Sequence, residues 1–446
     1  MSKNMKKYIL FLSFVTMLLL VGCDTSSIKP DIQPDTPEEP FIRNGGIVDR
    51  IFDRKDPAPL VLAPSSNQQG YSQTGANFAQ NLFNKLCLQA DPGTNVCISP
   101  LSLEIALGML ANGVEPEAQK EMLDIIAGEG ITADSLNVWY HKLRDALEAT
   151  NCVRLANALW AQYTYPINPD FIEASKTYYD AEVGVVNFAR TEAVKDSICQ
   201  WAYDHTYGNI RDLNLPLTED TKLVLANATW FGANWTQPYD KSKTKEAIFT
   251  LTDGTEKTVD MMQHDNEPFR YEERPTYQII DMPFGVFKNE YDIEDDCYYN
   301  SCVDRPFSMV VALPKAGYTP NDILADIDWN ITSLRTAPGN LRLPKFVFKT
   351  TNELIKPMKE LGIQKVFDDE ALSGINSELF INFINQDVSV RIDEDGAEMA
   401  AITSMKVWII GRPEYDFNAN HPFVFCVRDN VSHNILFIGK VEDIGE

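Results

Sequence analysis

Apolar and polar positions fall into a folding pattern from near Tyr71 onward. Phe78, Leu82, Phe83 and Leu86 recur at the spacing of one helical face, and Ser99-Pro100 places a capping residue before a first-turn proline, so a second helix opens there and stops at Gly113. Extended apolar runs follow at 155–160 (LANALW), 221–231 (TKLVLANATWF), 307–314 (FSMVVALP), 341–348 (LRLPKFVF), 380–392 (FINFINQDVSVRI), 423–427 (FVFCV) and 434–441 (NILFIGKV). A short helix at 353–361, closed by Gly362, separates two of these runs, and several strands are neighbours in sequence. Strict alternation of strand and helix is absent, so the expected class is α+β with a large mixed or antiparallel sheet in one domain.

The N-terminus reads differently. Lys3, Lys6 and Lys7 precede an apolar run of 14 residues from Tyr8 to Val21, short of the roughly 20 that span a bilayer, and the pattern is that of an export leader. The run ends in Leu20-Val21-Gly22-Cys23, which resembles a bacterial lipobox, where the cysteine is lipidated and the leader is cut before it. Pro30, Pro34, Pro37, Pro40, Pro57, Pro59 and Pro64 then punctuate an acidic stretch that cannot bury an apolar face. The expected organisation is a leader over 1–22, a lipidated Cys23 with a tether over 23–64, and a folded domain over 65–446. It implies an exported protein anchored to the outer membrane, facing the periplasm or the cell surface.

Composition narrows the chemistry. The net charge is −25, spread along the chain, which disfavours nucleic acid and anionic membrane surfaces as partners. Five histidines are scattered without metal-ligand spacing, and no Walker loop or GxSxG is present. Gly128-Glu129-Gly130 follows a helix-like segment and reads as a turn, while the acidic runs 292–296 and 393–395 lack the glycine and distal glutamate of a calcium loop. Cys97, Cys152 and Cys426 lie in apolar runs and read as core. Cys297 and Cys302 lie in an acidic, Tyr-rich segment where a small disulfide loop is one open reading. No enzymatic site and no cofactor is expected.

Three segments together make the chain resemble a serpin from near Tyr71 to the C-terminus. They are NVCISPLSLEIALGMLANG (95–113); NALW (157–160) with WAYDHTYGNIRDL (201–213) and NATWFGANW (227–235); and LRLPKFVF, KELGI (359–363), LSGI (372–375), IDEDGAEMAAIT (392–403) and HPFVF (421–425). The resemblance implies three β-sheets, eight or nine helices and an exposed reactive loop. It implies a monomeric inhibitor that a protease cleaves as a suicide substrate, with a covalent acyl complex formed and the loop inserted into the central sheet as a new strand; strand addition of this kind is an established binding mode. It also places a polar shutter at Ser99, Ser102, Asn227 and Gln386, the last standing where the family usually has His. Trp235 is placed at the breach. The reactive loop and its hinge run through Glu394, Gly396, Ala397, Glu398, Met399, Ala400, Ala401, Ile402 and Thr403.

The residues agree with a strand in waiting. Ala397, Met399, Ala401, Thr403, Met405 and Val407 alternate with Glu398, Ala400, Ile402, Ser404 and Lys406, the period of two of a half-buried strand. Met399 departs from the small residue usual in the family, which raises a non-inhibitory binding or carrier module as the alternative. The resemblance implies a reactive bond fourteen residues beyond the hinge glycine, which here is Ile410-Gly411, with Ile409 or Gly411 as neighbouring choices. An apolar residue there points to elastase-like or subtilisin-like serine proteases, and to cysteine proteases as a further class, with Lys406 and Trp408 as secondary cut sites; Pro413 obstructs cleavage after Arg412.

Overall fold

The computed structural model describes residues 12–23, 55–208, 213–292, 297–329, 331–396 and 412–445. Among them eight α-helices form: α1 (Ser66–Gln89), α2 (Pro100–Leu110), α3 (Pro116–Ile126), α4 (Ala133–Ala149), α5 (Pro169–Tyr179), α6 (Thr191–His205), α7 (Pro320–Ile323) and α8 (Ile355–Glu360). The strands are β1 (Leu12–Cys23), β2 (Val96–Ile98), β3 (Val153–Gln162), β4 (Glu182–Val186), β5 (Leu223–Phe231), β6 (Asn234–Trp235), β7 (Lys245–Thr250), β8 (Glu256–Glu273), β9 (Tyr277–Asp292), β10 (Cys297–Pro314), β11 (Arg335–Pro344), β12 (Phe346–Glu353), β13 (Leu379–Ile392), β14 (Tyr415–Asn418), β15 (Phe423–Asp429) and β16 (Ile435–Val441).

A six-stranded sheet runs β12-β13-β1-β5-β3-β4. A second hydrogen-bonded path runs β14-β11-β8-β9-β10-β15-β16-β2, with β6 on β9 and β7 on β8. Strand β8 pairs β7 and β11 over most of its length but β9 only through Arg270–Glu273. It therefore joins two sheets, and with the six-stranded one there are three, as expected of an α+β serpin fold. Strands β5, β15 and β16 are buried at every residue, because each is covered on both faces. Helix α2, buried throughout, fills the space between β5 and β16 and explains the apolar run that follows Ser99.

Several sequence expectations need correction. The run 341–348 is two strands, not one: Pro344 ends β11 and Phe346 begins β12 in the other sheet, since Lys345 turns the chain. Ser99 occupies the N-cap position but makes no side-chain cap; its backbone N–H is committed elsewhere. The docked body reaches into the stretch read as tether. Asn151 Nδ2 donates to the Asp56 carbonyl at 2.8 Å, and Ala58 N–H donates to the Thr150 carbonyl at 2.8 Å. Leu60 N–H donates to Asp304 Oδ2 at 2.9 Å, and α1 starts at Ser66 with a capping box from Ser65 to Gln68. A disulfide between Cys297 and Cys302 is excluded: both lie on β10, five residues apart, so about 16 Å of extended chain separates Cα atoms that a bridge needs within ~7 Å. Cys302 is a free, exposed thiol, while Cys97, Cys152 and Cys426 are buried as expected. Gly128 and Gly130 both adopt positive φ in the turn after α3.

Strand β1 lies inside the segment read as an export leader. In the full chain it sits between β13 and β5, antiparallel to both, with Met17 opposite Gln386 on one side and Asn227 on the other. No helix among the described residues is long and apolar enough to cross a membrane.

One buried acid stands out in α2. Glu104 is packed against Gly75 of α1, where an added Cβ would meet its carboxylate at 2.5 Å, and burial raises its carboxyl from 4.5 to about 8, partly countered by a hydrogen bond with Tyr140. The folded state thus holds a proton that the unfolded chain releases, so stability is full below about pH 4.5 and falls as pH rises to about 8, by up to ~1.4 kcal/mol per pH unit. Glu104→Gln should flatten this slope. Urea-unfolding midpoints measured from pH 5 to 9, at roughly one-unit intervals, check it: parallel slopes in the two proteins would assign the pH dependence to other groups.

Candidate functional site

The sheet interior between β5 and β13 is bounded by two side-chain groups. Below its middle, Gln386 of β13 clamps the chain just before α2: Ser99 N–H donates to Gln386 Oε1 at 2.9 Å, and Gln386 Nε2 donates to the Ser99 carbonyl at 2.9 Å. Ser102 Oγ donates to Asn227 Oδ1, and Asn227 Nδ2 donates to Asn157 Oδ1 at 2.7 Å. Asn157 in turn donates to the Tyr179 carbonyl at 2.8 Å. Ser99, Ser102, Asn227 and Gln386, inferred from separate segments, are all buried and form two hydrogen-bonded groups, one from β13 and one from β5, that both reach the start of α2. The amides of Gln386, Asn227 and Asn157 and the Ser102 hydroxyl have partners there, which is what makes their burial tolerable, whereas the buried Ser99 hydroxyl has none among the described residues.

At the end of β13 the chain turns through Asp393, Glu394 and Asp395 to Gly396. Trp235 Nε1 donates to the Asp393 carbonyl at 2.9 Å, Trp235 N–H donates to the Asp395 carbonyl at 3.2 Å, and the indole stacks on Phe284 with centroids 4.3 Å apart. Gly396 forms isolated antiparallel bridges with Asn234 and with Asp393. Its φ is +98°, and an added Cβ would lie 2.6 Å from Trp235 N and 2.7 Å from the Ala233 carbonyl. Here glycine is required twice over, by conformation and by close backbone approach. Glu394 accepts from Thr244 Oγ1 at 2.9 Å and lies 3.5 Å from Lys345 Nζ; Lys241 pairs with Asp395. Burial raises the Asp393 carboxyl to about 6.

Residues 397–411 lie outside the described residues, and with them Ala397, Glu398, Met399, Ala400, Ala401, Ile402, Thr403, Ile410 and Gly411. On the far side of that segment Glu414 N–H donates to the Pro338 carbonyl at 2.8 Å, and β14 pairs in parallel with β11. The two ends are thus anchored in different sheets, Gly396 at the top of the six-stranded one. Sequence reasoning missed Asn157, Thr244, Lys345 and Phe284. Asn157 was accessible, since it sits opposite Asn227 in the β3–β5 ladder; Thr244 and Lys345 carry no local signal.

The chain matches the family model described as serpin, serine protease inhibitor, over residues 73–444. It is 31% identical to the leukocyte elastase inhibitor of Sus scrofa over 394 residues, covering 83% of this chain and 98% of that protein. It superimposes on the Arabidopsis serpin in its native stressed conformation with a TM-score of 0.70 at 23% identity, covering 86% of this chain and all of the other. Thyroxine-binding globulin in complex with thyroxine gives 0.69 at 24% identity, with 84% and 99% covered. The chain belongs to the serpin family, whose members include protease inhibitors rather than catalysts.

Replacing Gln386 with Ala leaves the Ser99 N–H and carbonyl without their side-chain partner in a dry interior. The expected loss is about 2–4 kcal/mol, and a thermal melt should drop by several degrees. An unchanged melting temperature would show that water or a neighbour takes over both bonds.

Proposed function

We propose that this serpin inhibits serine proteases of elastase-like or subtilisin-like specificity, and cysteine proteases as a further class, as a suicide substrate. The protease nucleophile attacks the Ile410 carbonyl carbon, the Ile410–Gly411 bond breaks, the Gly411 amine leaves with a proton, and an acyl-enzyme remains. The freed segment then enters the sheet between β5 and β13. The observation that carries this reading is the central position itself, which accepts an added strand running antiparallel to both neighbours.

The register follows from the hinge. The Asp393–Gly396 bridge is antiparallel, so continuing it sets Ala397 opposite Ile392, Met399 opposite Val390, Ala401 opposite Val388 and Thr403 opposite Gln386. All four β13 residues are buried. The other parity sets Glu398 opposite the exposed Arg391, a cross-strand ion pair. Met399 thus meets an apolar neighbour, which supports insertion despite its size, and Thr403 brings a hydroxyl to the amides of Gln386 and Asn227. The apolar Ile410 suits the specificity named for the leukocyte elastase inhibitor relative.

We further propose that Cys23 is lipidated after export, that the chain is anchored to a bacterial outer membrane, and that removal of the leader vacates the β1 position for the loop. The carrier alternative, raised by Met399, predicts a loop that stays out.

Cutting within residues 405–412 of a leader-free chain should raise the melting temperature by tens of degrees, with roughly 10 kcal/mol or more gained. Elastase should give a denaturant-resistant covalent complex on a gel. A nicked protein that melts at or below the intact one would replace inhibition with the carrier reading. Separately, labelled fatty acid should appear on the natural chain and not on Cys23→Ala; label on the variant would remove the lipobox reading.

A further inference from the structure

Strands β9 and β10 pair from Tyr277 and Pro314 out to Asp292 and Cys297, but the strands that flank them stop much sooner. Strand β8 lies on β9 over residues 278–281, β6 at Phe284 and Gly285, and β15 on β10 over residues 307–312. Residues 286–292 and 297–304 therefore form a two-stranded ribbon with no third strand on either edge among the described residues. A ribbon of that kind is marginal in water. It is fixed at its root, where the register shifts on both sides of Asp304 and so re-aims the strand. Asp304 Oδ2 accepts the Leu60 N–H at 2.9 Å, and the side chain and N–H of Asn430 donate to the carbonyls of Arg305 and Pro306, each at 2.9 Å. The root also borders the hinge. Asn234 pairs with Gly285 and bridges Gly396, so the ribbon leaves the body beside the turn from which the reactive loop departs.

The ladder sets Tyr291 opposite Tyr298 and Glu290 opposite Tyr299, with Asp292 at its end. Tyrosine is among the residues that protein interfaces concentrate, since it brings a large, rigid contact at low entropy cost. Val303, 48% exposed, adds an apolar contact near the root. Lys288 is the one basic residue of these two strands against Glu290, Asp292 and Asp304, on a chain of net charge −25. Two such ribbons repel each other, which disfavours edge-to-edge pairing with a second copy. A cationic protein surface fits the same edge.

We propose that this ribbon is a docking arm for the target protease, which meets it through a basic patch flanking its active-site cleft. The inference deepens the protease reading above and rests on it for the identity of the partner. Seven extended residues reach about 23 Å, comparable with the radius of a protease of about 230 residues, roughly 22 Å, so an enzyme approaching the loop comes within range of the arm. Contact there speeds the encounter and prolongs it before any bond is broken. The arm then selects among enzymes that share an apolar primary specificity, favouring those with a basic rim and repelling those with an acidic one.

The test measures docking of the full chain to two proteases whose nucleophilic serine is replaced by alanine, one a basic elastase-type enzyme and the other an acidic subtilisin-type enzyme. Two variants are compared with the natural chain: Glu290→Lys with Asp292→Lys, and Tyr291→Ser with Tyr298→Ser, each checked for an unchanged melting temperature. Charge reversal should slow association with the basic enzyme about tenfold in about 50 mM salt and about twofold in about 300 mM, and should speed association with the acidic one. The tyrosine change should speed dissociation from the basic enzyme about tenfold. Equal rates for the natural chain and both variants, or no docking of the natural chain to the basic enzyme, overturns the arm. A natural chain that is dimeric at micromolar concentration, and monomeric after the tyrosine change, assigns the ribbon to a second copy and overturns the protease as its occupant. Failure of the leader-free chain to form a covalent complex with active elastase strikes the suicide-substrate reading alone, because docking to an inactive enzyme needs no cleavage.

Discussion

Every interior strand of a sheet must find hydrogen-bond partners along both of its edges, because a buried peptide group without one costs as much as a lost hydrogen bond. Strands β5 and β13 each direct one edge toward the position between them, and in the full chain that edge is matched by β1 through an almost unbroken register. With the position empty, β5 and β13 must pair with each other or leave a row of groups poorly satisfied. Either choice leaves the sheet short of the hydrogen bonding that a sixth strand provides. The chemistry proposed for this protein is a consequence of that shortfall.

On the proposed mechanism the position must open and close, and the surrounding side chains are tied in a way that leaves the core intact when it does. Gln386 grips Ser99, and Ser102 grips Asn227, from opposite sides of the gap, so each wall is fixed to the α2 region and not to the other wall. A direct link between the walls would have to break at each opening. At the top, Trp235 holds the turn through backbone carbonyls, a device indifferent to which residues follow Gly396. The hinge can then be anchored while the loop beyond it varies.

Much of this was legible in the sequence, for reasons that differ by feature. The apolar helix after Ser99 and the segments around Asn227 and Trp235 are local signals, and the structure describes elements at each; the period-two pattern beyond Gly396 lies outside the described residues. The clamp of Gln386 on Ser99 joins positions 287 apart in the chain, so only the family resemblance brought them together. Run 341–348 was read as one strand because its apolar residues are nearly continuous; the buried parity in fact switches at Pro344-Lys345, from Leu341 and Leu343 to Phe346 and Phe348, which marks the break, while the change of sheet depends on what β11 and β12 pair with. Whether Cys297 and Cys302 pair was left open by the sequence, since nearness in sequence does not fix nearness in space; the extended strand that holds both decides against it.

The occupation of the central position by β1 bears on why the loop is proposed as its natural occupant. In the insertion proposed above the loop would run as β1 does, antiparallel to β5 and β13. Position 17 of β1 stands opposite Gln386 and Asn227; in the proposed register Thr403 would stand there, and a threonine hydroxyl both donates and accepts. Glu398 would come to the register of Arg391, and Gly396 is already bridged to the end of β13, so closing the loop costs less entropy than bringing in a segment distant in sequence. On this reading specificity for the loop resides in polar register positions, since hydrophobicity alone does not set it apart from the apolar β1 segment.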